Sequence, residues 1–338
     1  MRKLIFATQK LDSRDPILAA TVAKVRALAE RVDELIVLCD SAEAGVVPGD
    51  VRIREFGASS QAGRGARFVG ALARELHPRP DAFLAHMIPL YVVLAAPLLR
   101  PLRVPIGLWY SHPKGHSLVR LAEAAATTVF SVNASTFPLA SRKLVPIGHG
   151  IDLTEFACSD ERRPDDTLHA LVLGRYSRIK GLDVMLRAAS LAGETGRRVR
   201  LEMHGATGSA ANDAYKRELA DLADTLALDA HLAEALPRAQ LPALFARADV
   251  LLNATDGASA DKVVYEAAAS CLPVLASSSA FHDLLPDELR FERDSAEALS
   301  QRLVELDRRR RPELREIVAA RHSVDTWADA VLASVGRR

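Results

Sequence analysis

Two cations five residues apart and one carboxylate in an otherwise apolar helix are the groups in this sequence best suited to chemistry. The cations are Arg175 and Lys180 in "VLGRYSRIKG" (172–181), where Gly174 and Gly181 permit tight turns on either side. Two positive charges on one loop match a diphosphate and stabilise negative charge building on it as it departs. The same spacing also suits a solvated basic loop. The carboxylate is Glu266 in "TDGASADKVVYEAAAS" (255–270). Ser259 and Asp261 are both good N-cap types for the helix that follows, and the free amides of its first turn form an anion site. Lys262 and Glu266 share a helix face four residues apart. A carboxylate one turn in would lie just beyond a phosphate held at the helix start, where a ribose diol offers it two O–H donors. A surface Lys–Glu pair is the plainer alternative. The apolar "VVYEAAASC" context argues instead for a half-buried Glu266 that needs a partner.

Further candidates follow other strand-like runs. "EMHGATGSAAND" (202–213) carries Gly205 and Gly208, suited to close backbone approach to a ligand or to a plain turn. "LWYSHPKG" (108–115) puts His112 just past a strand, where it can give a proton or hydrogen bond to a sugar or phosphate. His86, after "AFLA", occupies a similar position, and a structural role is open for both. "PIGHGID" (146–152) reads as a tight turn around His149.

These residues need a scaffold that brings strand ends together. Short β-branched runs ("KLIFAT", "ELIVLC", "VRIREF", "AFLAH", "PIGLWY", "TVFSV") alternate with amphipathic stretches through the first half. The alternation pauses at the polar, turn-rich "GIDLTEFACSDERRPDDT" (150–167) and restarts with "LHALVLG", "RVRLEMHG", "DAHLAEA", "DVLLNAT" and "LPVLAS". From about residue 294 the chain reads as helix only. The pattern predicts two doubly wound α/β domains in series, with ligands at the carboxyl ends of their strands. A length of 338 residues also favours two cores over one.

Composition narrows the classes further. The chain is 49% hydrophobic and 26% charged, an ordinary globular balance. "MIPLYVVLAAPLL" (87–99) is too short, and too broken by Pro89 and Pro97, for the roughly 20 residues that a membrane span needs, so a buried helix is expected. The three cysteines, Cys39, Cys158 and Cys271, show neither a disulfide framework nor a zinc spacing, and a reducing cytoplasm fits them. No metal-ligand cluster is visible. Charge is uneven: residues 1–150 hold 19 basic and 12 acidic side chains, a net +7, and the remainder is net −6. That asymmetry suits an anionic partner for the first half, whether a membrane surface or an acceptor.

"GRYSRIKG" (174–181), "HGATG" (204–208) and "VVYEAAASCLPVLAS" (263–277), preceded by "VPIGHGID" (145–152), together resemble the ordered motifs of family 4 retaining glycosyltransferases of the GT-B fold. The resemblance implies two Rossmann-like domains facing across a cleft: an N-terminal acceptor domain, 1–150, and a nucleotide-sugar donor domain, 151–322. It also implies a final helix, about 323–338, that packs back onto the first domain. Arg175 and Lys180 match the pair on the donor diphosphate, and His112 resembles the histidine that contacts the transferred sugar. Gly174, Gly205, Asp261 and the amides of Lys262 and Val263 fall in the donor-binding motifs, and Glu266 matches the ribose-binding glutamate. The implied substrates are a nucleoside-diphosphate sugar and a glycan or lipid-linked acceptor. No metal, further cofactor or nucleic acid is implied, and the setting is cytoplasmic, with peripheral contact at the inner membrane face.

Two departures stand out. The family's first glutamate, eight residues before the second, is Ala258 here, and the segment resembles a subgroup carrying "SLDKVVLEA". Asp256 or Asp261 is then left to contact the sugar. In place of a Gly-Gly loop after the first strand, "TQKLDSRDPILAA" offers Lys10, Asp12 and Asp15. The alternatives are a non-catalytic nucleotide-sugar binder in an assembly complex and, further off, another GT-B enzyme such as a sugar-nucleotide epimerase.

Overall fold

The computed structural model describes residues 1–15, 18–161, 165–255 and 257–336. The chain divides into two compact units, one of Met1–Asp152 with Arg321–Arg338, the other of Leu153–Ala320.

In the first unit the strands are β1 (Lys3–Ala7), β2 (Lys10–Leu11), β3 (Glu34–Cys39), β4 (Ser41–Ala42), β5 (Arg52–Glu55), β6 (Ala82–His86), β7 (Ile106–Trp109), β8 (Thr128–Ser131) and β9 (Leu144–Pro146). Seven of them form a sheet ordered β5-β3-β1-β6-β7-β8-β9, and β2 pairs separately with β4. Pairing is parallel throughout, with Ile5 opposite both Ile36 and Phe83. Strands covered on both faces need apolar residues at every position. β1 follows this from Leu4 to Ala7, and Lys3 at its start is buried with its Nζ donating to Pro78 O at 3.0 Å.

The helices are α1 (Ala20–Ala29), α2 (Gln61–Arg74), α3 (Pro89–Leu99) and α4 (Ser117–Ala125). The apolar run at 87–99 becomes α3, whose Tyr91, Val92, Ala95, Ala96 and Leu99 are buried in the core. Among the described residues no helix is long and apolar enough to cross a membrane. The chain moves outward from β1 to β3 and β5, then returns to β6 on the other side. The carboxyl ends of β1 and β6 are therefore this unit's topological switch point.

The second unit repeats the plan with β10 (Leu168–Leu173), β11 (Val199–Gly205), β12 (Ala230–Glu234), β13 (Val250–Asn253) and β14 (Val274–Ala276), ordered β12-β11-β10-β13-β14. Its helices are α5 (Leu182–Glu194), α6 (Ala210–Thr225), α7 (Leu241–Arg247), α8 (Lys262–Ala269), α9 (Ala296–Glu305) and α10 (Pro312–Arg321). Here the switch point lies between β10 and β13.

The last helix, α11 (Val324–Val335), belongs to the first unit. Ser323 pairs with Ile151 in a parallel bridge and caps the helix by accepting from the Thr326 amide. Trp327 is fully buried, and Lys24 Nζ lies 5.5 Å from its ring and 4.7 Å from that of Trp109.

The cysteine reading needs correction. Cys158 and Cys271 are joined as a disulfide with Cα atoms 5.2 Å apart, while Cys39 is free and buried. The two lie 113 residues apart in sequence, so spacing alone concealed what the fold brings together.

Candidate functional site

The candidate site of the second unit forms at its switch point, where the loop after β10 meets the loop after β13. Gly181 sits in the left-handed region (φ 57°), and a Cβ there would lie 2.8 Å from the Ala254 carbonyl oxygen. Only glycine lets the two loops approach this closely. Lys180, just before it, points across the gap. Its Nζ is 2.5 Å from Asp261 Oδ2 and 3.3 Å from Thr255 Oγ1. The same carboxylate oxygen accepts from Thr255 Oγ1 at 2.6 Å and Asn253 Nδ2 at 2.9 Å. Burial alone would raise the Asp261 pKa. The Lys180 charge and these donors outweigh it and hold the carboxyl below its ordinary value.

Asp261 occupies the N-cap position of α8, yet its side chain makes no capping bond. Its oxygens are taken up by Lys180, Thr255, Asn253 and Ser259, so the cap expected from sequence is absent. The first-turn amides of α8, at Lys262 and Val263, accordingly receive no side-chain cap from it. The preceding loop is fixed from behind, where Ser278 Oγ donates to Gly257 O at 2.8 Å or to Ser259 O at 3.0 Å. Ala258 lies in that loop. Asp256 lies outside the described residues.

Glu266 is only 2% exposed, so it is not half of a surface pair. Lys262 Nζ stands 3.9 Å from its Oε1, beyond hydrogen-bond range. Its close partner is Arg238, whose Nη1 donates to Oε1 at 2.5 Å. Arg238 also donates to Glu155 Oε2 from Nη2 at 2.8 Å and from Nε at 3.1 Å, and its guanidinium lies 5.0 Å from the Phe156 ring centroid. Burial works against the Arg238 charge. Glu266 and Glu155 more than offset it and raise the pKa. Sequence reading missed Arg238 and Glu155. The only available signal was the need of a semi-buried Glu266 for a cation, which does not say which of many arginines answers.

The remaining candidates are placed as follows. Gly174 and Gly205 are where the loops after β10 and β11 cross, since a Cβ on Gly205 would fall on the Gly174 carbonyl oxygen. Arg175 is exposed on that loop, and among the described residues its side chain has no ion-pair partner. Lys180, Asp261, Lys262, Val263 and Glu266 are thus brought together at α8, with Gly174 and Arg175 on the adjoining loop.

His112 belongs to the first unit, on an exposed loop past β7, where its Nδ1 accepts from the Lys114 amide at 3.1 Å. His86 ends β6 at that unit's switch point, 5% exposed, with Nδ1 3.4 Å from Thr8 Oγ1 and its ring stacked on Trp109 at 4.9 Å. Lys10 Nζ lies 2.7 Å from Asp12 and 3.4 Å from Asp15, so these three satisfy one another. Among the described residues no group of three or more His, Cys, Asp or Glu side chains is arranged to hold a metal ion.

Residues 167–308 match the family model described as glycosyl transferases group 1. Solved structures match along the whole chain. Alr3699/HepE from Anabaena, in complex with UDP and glucose, aligns at TM-score 0.77 and 15% identity, covering 100% of both chains. A glycosyltransferase from Rickettsia africae aligns at TM-score 0.75 and 14% identity, covering 99% of this chain and 98% of that one. An α,α-trehalose-phosphate synthase (UDP-forming) from Burkholderia xenovorans, in complex with glucose-6-phosphate, aligns at TM-score 0.71 and 13% identity, covering 100% of both. No curated protein matches the sequence. The fold is that of the GT-B glycosyltransferases, and the segment matching group 1 is the one that carries the cluster around α8.

Proposed function

We propose that this protein is a retaining glycosyltransferase. It moves a sugar from a nucleoside-diphosphate sugar to an acceptor hydroxyl, with a lipid-linked or polysaccharide intermediate as the acceptor class. The observation that carries the reading is the cluster at the β10–β13 switch point: a half-buried lysine paired with Asp261, a helix start that the Asp261 side chain does not cap and, on the same helix, a buried carboxylate. In this reading Lys180, Arg175 and the amides of Lys262 and Val263 hold the diphosphate. They stabilise the charge that develops as the glycosidic C–O bond breaks. Glu266 accepts from the ribose hydroxyls. The acceptor oxygen attacks from the face the diphosphate leaves, and its proton passes to the departing phosphate oxygen, so neither a metal nor a carboxylate nucleophile is required. In the first unit His112 was the expected sugar contact. His86, 5% exposed and stacked on Trp109, fits the structural role, and His112 on the exposed loop past β7 keeps the proposed contact.

Likeness to structures that hold UDP supports a nucleotide-sugar donor without fixing the base. The net +7 of residues 1–150 supports an anionic acceptor or membrane surface facing the first unit. The expected reducing cytoplasm rested on the cysteines, and the Cys158–Cys271 disulfide removes that support.

A second reading, a nucleotide-sugar binder without transferase activity, is favoured by two features. Ala258 stands where the first motif glutamate would be, and Asp261 already neutralises Lys180 at 2.5 Å. Incubating the purified chain with UDP-, GDP-, ADP- and TDP-sugars, with and without membrane-lipid and oligosaccharide acceptors, separates the readings. Nucleoside diphosphate release from one donor, lost in Glu266→Ala and Lys180→Ala, supports the transferase. Saturable binding with no release under any acceptor supports the binder. No binding of any donor sinks both.

A further inference from the structure

We propose that Arg238 is a positioning residue that sets the Glu266 carboxylate for a ribose diol, and that Glu155 in turn holds Arg238. This rests on the reading of Glu266 as the ribose-binding group. Arg238 lies in the turn just before α7 with its side chain 11% exposed, between Glu266 at 2% and Glu155 at 27%. Its three bonds to two carboxylates fix the guanidinium plane, and Phe156 backs one face of it at 5.0 Å. A planar fork held on two sides has little freedom left, so the carboxylate it grips keeps one orientation.

The far end of the relay is fastened as well. Glu155 belongs to the stretch from Leu153 to Cys158. Arg315 donates to the carbonyls of Leu153, Phe156 and Ala269, and the disulfide ties Cys158 to Cys271, just past the end of α8. Glu155 is therefore anchored to the same helix whose Glu266 it steers through Arg238. Both Lys262 and Arg238 approach Oε1 of Glu266. Among the described residues no side chain donates to Oε2, which with the remaining lone pair of Oε1 can accept two hydroxyls.

The test measures binding of UDP and GDP, each against its 2′,3′-dideoxy analogue, by calorimetry. The proteins are the wild type, Glu266→Ala, Arg238→Met, Arg238→Lys, Glu155→Gln and the double variant Arg238→Met with Glu266→Ala. The wild type is expected to favour the ribonucleotide over its dideoxy analogue by about tenfold or more, and Glu266→Ala to abolish that preference. Arg238→Met is expected to lose about tenfold in ribonucleotide affinity with the dideoxy affinity unchanged. Arg238→Lys and Glu155→Gln lose less, and the double variant binds no more weakly than Glu266→Ala. A purely structural role would weaken both nucleotides alike and leave the preference intact. If Arg238→Met does not fold, Arg238→Lys and Glu155→Gln, which keep charge or shape, carry the test.

Loss of the preference in Glu266→Ala but not in the Arg238 and Glu155 variants overturns the proposal and leaves the ribose assignment standing. Retention of the preference in Glu266→Ala overturns the ribose assignment, and the proposal with it.

Discussion

Lys180 and Asp261 show how two charged side chains from separate loops are paired and aimed by the fold. Each side chain is 15% exposed, and each is the other's counter-ion. Removing one partner of such a pair leaves a buried charge uncompensated, at a cost of about 3–5 kcal/mol. Lys180→Met is therefore expected to lower unfolding free energy by about 3 kcal/mol. Adding Asp261→Asn should recover most of it, as read from urea titrations of the two single variants and the double. The loop lysine and the helix-start aspartate were each legible as polar site residues. Their pairing was not, since 81 residues separate them and contact is a property of the fold. Arg238 illustrates the same limit, since 28 residues separate it from Glu266.

At the scale of elements, the site depends on two places where backbones nearly touch. A Cβ on Gly205 would overlap the Gly174 carbonyl oxygen, so one loop must move aside if Gly205 becomes alanine. Gly205→Ala is expected to cost about 3 kcal/mol in urea unfolding and to weaken nucleotide binding. Gly181→Ala combines a left-handed backbone (φ 57°) with a 2.8 Å approach to Ala254 O. Its expected cost is about 2 kcal/mol, with Lys180 displaced from Asp261. The strands themselves were readable because parallel strands covered on both faces are mostly apolar, and the runs "KLIFAT" and "LHALVLG", polar only at Lys3, Thr8 and His169, contain β1 and β10. The pair β2–β4 escaped because two residues carry no period, and β9 (Leu144–Pro146) because it ends in a proline, which reads as a strand breaker.

Across the whole molecule, long-range ties set the stability. The disulfide closes a loop across 113 residues, for which chain entropy gives an upper figure of about 4–5 kcal/mol. Cys158→Ser, or reduction by dithiothreitol, is expected to lower the urea midpoint, and the reductant should have no effect on the variant. In the first unit Trp327 carries α11, and Trp327→Ala is expected to cost about 3–4 kcal/mol, read as a drop in melting temperature.

Acid sensitivity follows from carboxyls held below their ordinary pKa. Burial opposes the charge of both Asp261 and Glu75, but Lys180 with its neighbouring donors prevails at the first and Arg54 with Arg52 at the second. A depressed folded-state pKa means stability that is fully present above the unfolded value of about 4 and lost as pH falls through the folded one. Unfolding free energy should therefore be level from neutral pH down to about 5 and decline below about 4. Asp261→Asn in the Lys180→Met background should flatten part of that decline.

The sequence by itself determined the class of fold, most of the strands and which loops carry the polar residues that gather around α8. Those follow from periodicity and from residue types that local backbone geometry demands. Only the tertiary structure decided that Glu266 answers to Arg238, that Lys180 answers to Asp261, that Cys158 meets Cys271 and that His86 rather than His112 stands at a switch point. Charge pairing and covalent closure depend on distances in space, and a sequence specifies such distances only through the fold as a whole.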